Sequence, residues 1–205
     1  MCSIFGSTDK KEFFELAKLN GYRGTHSHSL AIIRDNSVAS IDILSKGFGP
    51  LEEQELKEKG LFVGHQQAPT TKSTDSSAIH PSEGFGYLWH NGIIKDYQVK
   101  KWQKEYNLDV AWDTRLLHRH IESKQFDGLS EADGSFACLY YFLGSMWLFR
   151  NDNCPMFVKG SSFSSTKFEG SEPIKSGIVY KYRGNSWEET MHKFNTATEY
   201  FWSPT

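Results

Sequence analysis

Residues 136–143 read FACLYYFL, the longest apolar run in the chain. Eight residues are far too few to span a bilayer as a helix. Neighbouring stretches repeat the pattern: SFACLYYFL, SMWLFRN and PMFVKGS follow one another, broken at Gly144 and at Asn151 to Pro155. Glycine, asparagine and proline at those breaks predict strand, turn, strand, turn, strand. Such a meander gives the second half of the chain a strand-rich character.

The rest of the sequence mixes strands and helices. Residues 2–6 predict a short strand. Asp9 to Asn20 predicts a helix with Phe13, Phe14 and Ala17 on one face and Gly21 as its stop. Residues 29–35 and 37–44 predict two strands around a tight turn at Asp35-Asn36. LEEQELKEKG (51–60) is polar and helix-favouring. LFVGHQQA (61–68) and GFGYLWHNGI (84–93) predict strands joined by a polar loop. Lys95 to Tyr106 and Asp113 to Gln125 predict helices, with Asp113 or Thr114 placed to cap the second. SGIVYKYRG (176–184) predicts another strand, and Ser186-Trp187-Glu188-Glu189 has the pattern of a capping box opening a final helix. No repeat or low-complexity linker divides the chain. The expectation is one α+β layered domain over residues 1–205.

Composition narrows the function classes. The 205 residues are 38% hydrophobic and 15% aromatic, enough to build a core, and the net charge is -2. Basic residues are scattered, so no nucleic-acid footprint is expected. The start of the chain is too polar for a secretory signal, since residues 9–15 read DKKEFFE. Three cysteines at wide spacing, Cys2, Cys138 and Cys154, form no disulfide framework and no zinc motif. A soluble, cytoplasmic protein without membrane contact is expected. Cys138 reads as a small buried hydrophobe, and Cys154, in the turn NDNCP, as incidental.

Five short stretches can carry chemistry. Cys2 stands behind the initiator methionine. If Met1 is removed, its thiol and a free α-amine share one carbon, and the amine titrates at about 7.7–8.0, near enough to neutral to take the thiol proton. In Trp89-His90-Asn91-Gly92, the Asn91 amide and a glycine N–H can face an oxyanion, or the pair can be a plain turn. Gly64 to Thr70 runs from a strand into a polar loop. Asp113-Thr114 can be a site or a helix cap. Arg23-Gly24-Thr25-His26-Ser27-His28-Ser29 places two histidines on one side of a strand, but no third ligand appears at a metal-binding spacing.

In this order the motifs resemble the glutaminase domain of class II glutamine amidotransferases, the N-terminal-nucleophile type. Cys2-Ser3-Ile4-Phe5-Gly6 is similar to the family's C-G-I-x-G, and Arg23 to Ser27 stands where R-G-x-D-S is found. Gly64 to Thr70 is similar to G-H-x-R-x-x-T, and His80-Pro81 to a following H-P step. His90-Asn91-Gly92-Ile93-Ile94 matches H-N-G-x-I, Asp113-Thr114 matches part of S/T-D-T-E, and Gly134 to Ala137 looks like G-x-(F/Y)-A. The resemblance implies a four-layer αββα sandwich and an enzyme without metal or cofactor. Cys2 would attack the γ-amide of glutamine, and Asn91 with the Gly92 amide would hold the oxyanion. Asp113 would bind the substrate ammonium, with Arg23, Gln67, Thr70 and His90 around the substrate. A thioester would then be hydrolysed, and ammonia would pass to a separate synthetase or acceptor subunit.

Three positions depart from the pattern. Gln67 replaces the arginine that grips the substrate carboxylate, and losing such a charged hydrogen bond costs roughly 1.5–3 kcal/mol. His26 replaces an aspartate and Arg115 a glutamate. Three outcomes follow. Arg23 or Arg115 reaches the carboxylate, the substrate is an amide lacking a free α-carboxylate, or the chain is a weakened binding or regulatory subunit.

Overall fold

The computed structural model describes residues 2–34, 40–68 and 78–196. Among them, seven strands form one antiparallel sheet and six form another. The first sheet has β1 (Ser3–Ser7), β2 (Ser27–Arg34), β3 (Ser40–Phe48) and β4 (Leu61–Gln67) together with the short β9 (Phe157–Lys159), β10 (Ser162–Ser164) and β11 (Glu172–Pro173). Its order is β11-β9-β10-β1-β4-β2-β3. The second has β5 (Ser82–Glu83), β6 (Tyr87–Ile94), β7 (Gly134–Phe142), β8 (Ser145–Arg150), β12 (Ile178–Arg183) and β13 (Ser186–Lys193), in the order β13-β12-β8-β7-β6-β5.

The sheets lie face to face, with a helical layer outside each. Ile4, Ala31, Val63, Trp89, Leu139 and Phe163 belong to the core between the sheets. Helix α1 (Lys10–Asn20) packs Phe13, Leu16 and Ala17 on Phe5, Leu30, Ile32 and Phe62. Helices α2 (Asp96–Tyr106) and α3 (Asp113–Lys124) cover the other sheet, with Val99, Trp102, Leu116 and Leu117 against Leu88, Phe136 and Cys138. This is the αββα sandwich. It accounts for the unbroken apolar run of β7, because alternate side chains point to opposite faces of a strand. Phe136, Cys138 and Tyr140 meet the helices, while Ala137, Leu139 and Tyr141 meet the other sheet. No helix among the described residues is long and apolar enough to cross a membrane.

The sequence reading is corrected in several places. Residues 186–189 open no helix. They begin β13, which returns along β12 with Arg183 opposite Ser186. Gly184 and Asn185 have φ of 50° and 69°, the doubly left-handed turn that matches strand twist in a two-residue hairpin. A capping box and a hairpin exit therefore share one four-residue spelling here. Residues 51–60 form no helix either. Leu51 and Leu56 are five apart and share no helical face, and the segment instead lays Leu56 into the α1 layer. Lys10 donates to the Leu56 carbonyl, and Lys18 pairs with Glu53 at 3.3 Å. The helix does end at Asn20 with Gly21 as its C-cap, as expected, and the chain then enters a 3-10 turn, Gly21–Arg23. Cys154 is buried in the inter-sheet core rather than incidental in a loop. The turn expected at Asp35-Asn36 and most of the polar loop before β5 lie outside the described residues.

Candidate active site

Strand alternation decides which polar residues meet. Ile4 faces the inter-sheet layer, so Cys2, two residues earlier, faces it too. On β4, Leu61 and Val63 face that layer, which carries His65 and Gln67 to the same side. On β6, Trp89 faces it, and so does Asn91, while His90 turns the other way toward α3. One end of the layer between the sheets thus collects Cys2, His65, Gln67 and Asn91 from stretches far apart in sequence.

The Cys2 thiol is buried and donates to the Ala68 carbonyl at 3.7 Å. Burial above all, with a smaller push from the Asp113 carboxylate, raises its pKa to about 11. In the chain that still carries Met1, the thiol is therefore protonated at neutral pH. Arg23 is buried beneath it and donates from Nε to the Cys2 carbonyl at 3.0 Å.

Ser165, absent from the motif reading, joins the two sheets here. Its Oγ accepts from the Ile4 N–H at 3.0 Å and from Asn91 Nδ2 at 3.3 Å. Its own N–H donates to the Ile4 carbonyl at 2.9 Å. An amide NH2 has two donor hydrogens, so fixing one on Ser165 orients the other. Gly92 follows with φ of 150°, and a Cβ there would sit 1.9 Å from the Ser135 carbonyl oxygen. No other residue fits without moving a strand. Only chain pairing through β10 brings Ser165 here, and no local pattern announces it.

Behind Asn91 lies a buried polar chain. His90 Nδ1 is 3.0 Å from Thr114 Oγ1, and His90 Nε2 is 3.3 Å from the Ser135 carbonyl. His80 Nε2 is 3.1 Å from the same Thr114 hydroxyl, and His80 Nδ1 is 3.4 Å from the Gln67 carboxamide, which Ser27 Oγ approaches at 3.1 Å. His65 stacks on His80 with centroids 3.8 Å apart and reaches the His90 carbonyl through Nε2 at 3.2 Å. Burial lowers the pKa of all three histidines, that of His65 to about 3. Asp113 is the first residue of α3, not its cap. The N-cap is Trp112, which makes no side-chain cap bond. The Asp113 carboxylate accepts from the Thr114 N–H at 2.7 Å and the Ile94 N–H at 3.0 Å.

A cleft of about 1010 Å³ opens beside this cluster. Gln67, Asp113, Arg115, Lys46, His26 and Ile93 are among its walls, whereas Cys2, Asn91 and Gly92 are not. Of the residues named from sequence, Thr70 lies outside the described residues. Among the described residues, no group of three or more His, Cys, Asp or Glu is placed to hold a metal ion.

No protein-family model matches this chain. No curated protein matches it by sequence. Solved structures do match it by shape. Glutamine phosphoribosylpyrophosphate amidotransferase from B. subtilis superposes with a TM-score of 0.67 at 18% identity over 94% of this chain. A structure described as the allosteric regulatory enzyme of purine biosynthesis gives 0.69 at 16% over 96%. The chain has the fold of a class II glutamine amidotransferase domain. It spans about half the length of those two enzymes, covering 50% of each. A glutamine aminotransferase class-II domain protein from Silicibacter pomeroyi matches over 99% of its own length, with a TM-score of 0.50 at 10% identity. In this amidotransferase fold, the cysteine behind Met1 stands at the start of a central strand, β1, between β10 and β4.

Proposed function

We propose that the chain is a glutaminase unit that hydrolyses a side-chain amide of the glutamine type, using Cys2 once Met1 has been removed. The observation that carries this is the double acceptance at Ser165 Oγ, from the Ile4 N–H and from Asn91 Nδ2. It ties the strand bearing the cysteine to the amide that would meet the oxyanion, across two different sheets. A cap or turn residue has no need of such a tie.

The chemistry follows from these groups. The freed α-amine accepts the thiol proton, and the thiolate attacks the amide carbon. Negative charge develops on the carbonyl oxygen, where Asn91 Nδ2 and the Gly92 N–H are the donors. The proton moves from the α-ammonium to the leaving nitrogen, and ammonia departs from a thioester. Water, deprotonated by the same amine, cleaves the thioester to a carboxylate and regenerates Cys2. Arg23, through the Cys2 carbonyl, holds the nucleophile's backbone. Asp113 stands at the cleft wall as the acceptor for a substrate ammonium. The described residues act as one such domain, and the ammonia passes to a synthetase or acceptor site, since it would otherwise become ammonium at neutral pH.

Two measurements test this. Intact mass is expected to show loss of Met1, and a glutamine-analogue electrophile is expected to label the wild-type chain but not Cys2→Ala. Retention of Met1 throughout would overturn the reading, because the Cys2 nitrogen would then be an amide and no base.

A further inference from the structure

The buried polar chain fixes which way its protons run, and the direction ends at Gln67. The Ser135 carbonyl can only accept, so His90 Nε2, 3.3 Å away, carries a hydrogen. His90 is neutral, since burial holds its pKa down, and its Nδ1 is then an acceptor. His90 Nδ1 cannot donate to Thr114, so the Thr114 hydroxyl gives its one hydrogen either to it, at 3.0 Å, or to Asp113 Oδ1, at 3.4 Å. Having given its one hydrogen, Thr114 Oγ1 accepts from its other ring neighbour, so His80 Nε2 is the donor at 3.1 Å. His80 is neutral as well, because burial and the neighbouring histidines disfavour its charge. Its Nδ1 therefore offers a lone pair to the Gln67 carboxamide at 3.4 Å. That position, placed as the Gln67 oxygen, would then set two acceptors against each other. Oxygen and nitrogen of an amide are told apart only by such a network. With the amide turned over, Nε2 donates to both His80 Nδ1 and Ser27 Oγ, and every link is satisfied.

We propose that Gln67 points its NH2 inward and its carbonyl oxygen into the cleft, so that the substrate it selects presents a hydrogen-bond donor there: a glutamine whose α-carboxyl is amide-linked rather than a free amino acid. This rests on the proposed glutaminase reading and names its substrate class. The other end of the Gln67 amide has no partner among the described residues, as expected of a group reserved for a ligand. The cations along the cleft do not offset the exposed oxygen, because each has a partner. Lys46 reaches Glu83 at 3.4 Å, Lys95 meets Asp133 at 2.9 Å, and Arg115 donates to the Glu83 carbonyl. A free carboxylate at Gln67 would place acceptor against acceptor, and an α-carboxamide or peptide N–H would not.

The test uses the full chain and has two independent parts. Long-range proton–nitrogen NMR of the imidazoles is expected to show both His80 and His90 as the Nε2–H tautomer. Finding the hydrogen on Nδ1 of His80 would overturn the Gln67 orientation whatever the enzyme does. Calorimetry on Cys2→Ala then compares glutamine with its α-amide, glutaminamide. The α-amide is expected to bind tighter by about two- to tenfold, the worth of one neutral hydrogen bond, and Gln67→Arg is expected to reverse the order. Tighter binding of free glutamine by the Gln67 chain would overturn the substrate class and leave the glutaminase reading standing. Failure of either ligand to bind, with Cys2 unlabelled by the analogue, would overturn both.

Discussion

The two ends of the site are built differently. Around Cys2 the groups are buried and locked across sheets: Ser165 holds both β1 and Asn91, Arg23 holds the Cys2 carbonyl, and Gly92 leaves no room for a side chain. At the other end Gln67 itself lines an open cleft, and behind it the buried His80 and Thr114 join it through imidazole and hydroxyl, with Ser27 at its side. Under the proposed function, the first arrangement is where the bond would be broken and the second is what would be held beside it. On that proposal chemistry and selectivity would be separable, and each substitution below asks whether they are.

The largest effect is expected at Cys2. Cys2→Ala should reduce amide hydrolysis to background while leaving glutaminamide binding within a few-fold, because the thiol is not on the cleft wall. Loss of binding along with activity would show that the two ends are not independent.

Acid is expected to break the other end. His65, His80 and His90 are held neutral by burial, so below the ordinary value of 6.5 the unfolded chain binds protons that the folded chain refuses. Stability is complete above about pH 6.5 and falls as pH drops, by roughly 1.4 kcal/mol per pH unit for each such histidine. The loss continues toward about pH 3 for His65. Urea unfolding at successive pH values measures it. His118, lowered to about 4 by burial beside Glu122, adds to the same slope, and His65→Gln should flatten it.

Asn91→Ala should lower kcat by about 10²–10³ with little change in KM, as removal of one oxyanion donor does. Ser165→Ala comes next. It strips the acceptor from the buried Ile4 N–H and frees the Asn91 amide, costing about 1–3 kcal/mol of stability for an unsatisfied buried group. It should lower kcat by less than Asn91→Ala does. Stopped-flow rates beside denaturant curves separate the two effects. Equal losses of kcat in both variants would mean that Asn91 works only through Ser165.

Much of this was legible in the sequence, where local pattern and tertiary role coincide. Cys2, Asn91 and Gly92 stand in a short strand start and a strand-end motif. The run at 136–143 announced a strand, although not that both its faces are covered. Ser165 was not legible, because a serine after a three-residue strand has no signature and matters only through pairing 161 positions away. Nor were the stacked His65 and His80, which alternation and a loop bring together from different elements. The misread helix at 186–189 has the same cause: Ser-Trp-Glu-Glu satisfies a cap locally, but the left-handed pair at Gly184-Asn185 closes a hairpin first.

The smallest expected effect bears most directly on the contrast. Lys46 lines the cleft with Lys95 and Arg115, and its charge is one that could stand in for an arginine at Gln67. Its Nζ is already shared between Glu83 at 3.4 Å and the Pro81 carbonyl at 3.5 Å. A partly exposed pair of this kind is worth about 0–1 kcal/mol. Lys46→Ala should therefore leave stability within about 1 kcal/mol and change the KM for a glutamine-type amide by less than about fivefold. If free glutamine instead lost affinity by much more, while glutaminamide did not, Lys46 would be holding the carboxylate and selectivity would reside in charge. An equal, small change for both ligands leaves selectivity with the orientation of one carboxamide, set by protons that originate at His90 on the far side of the sheet.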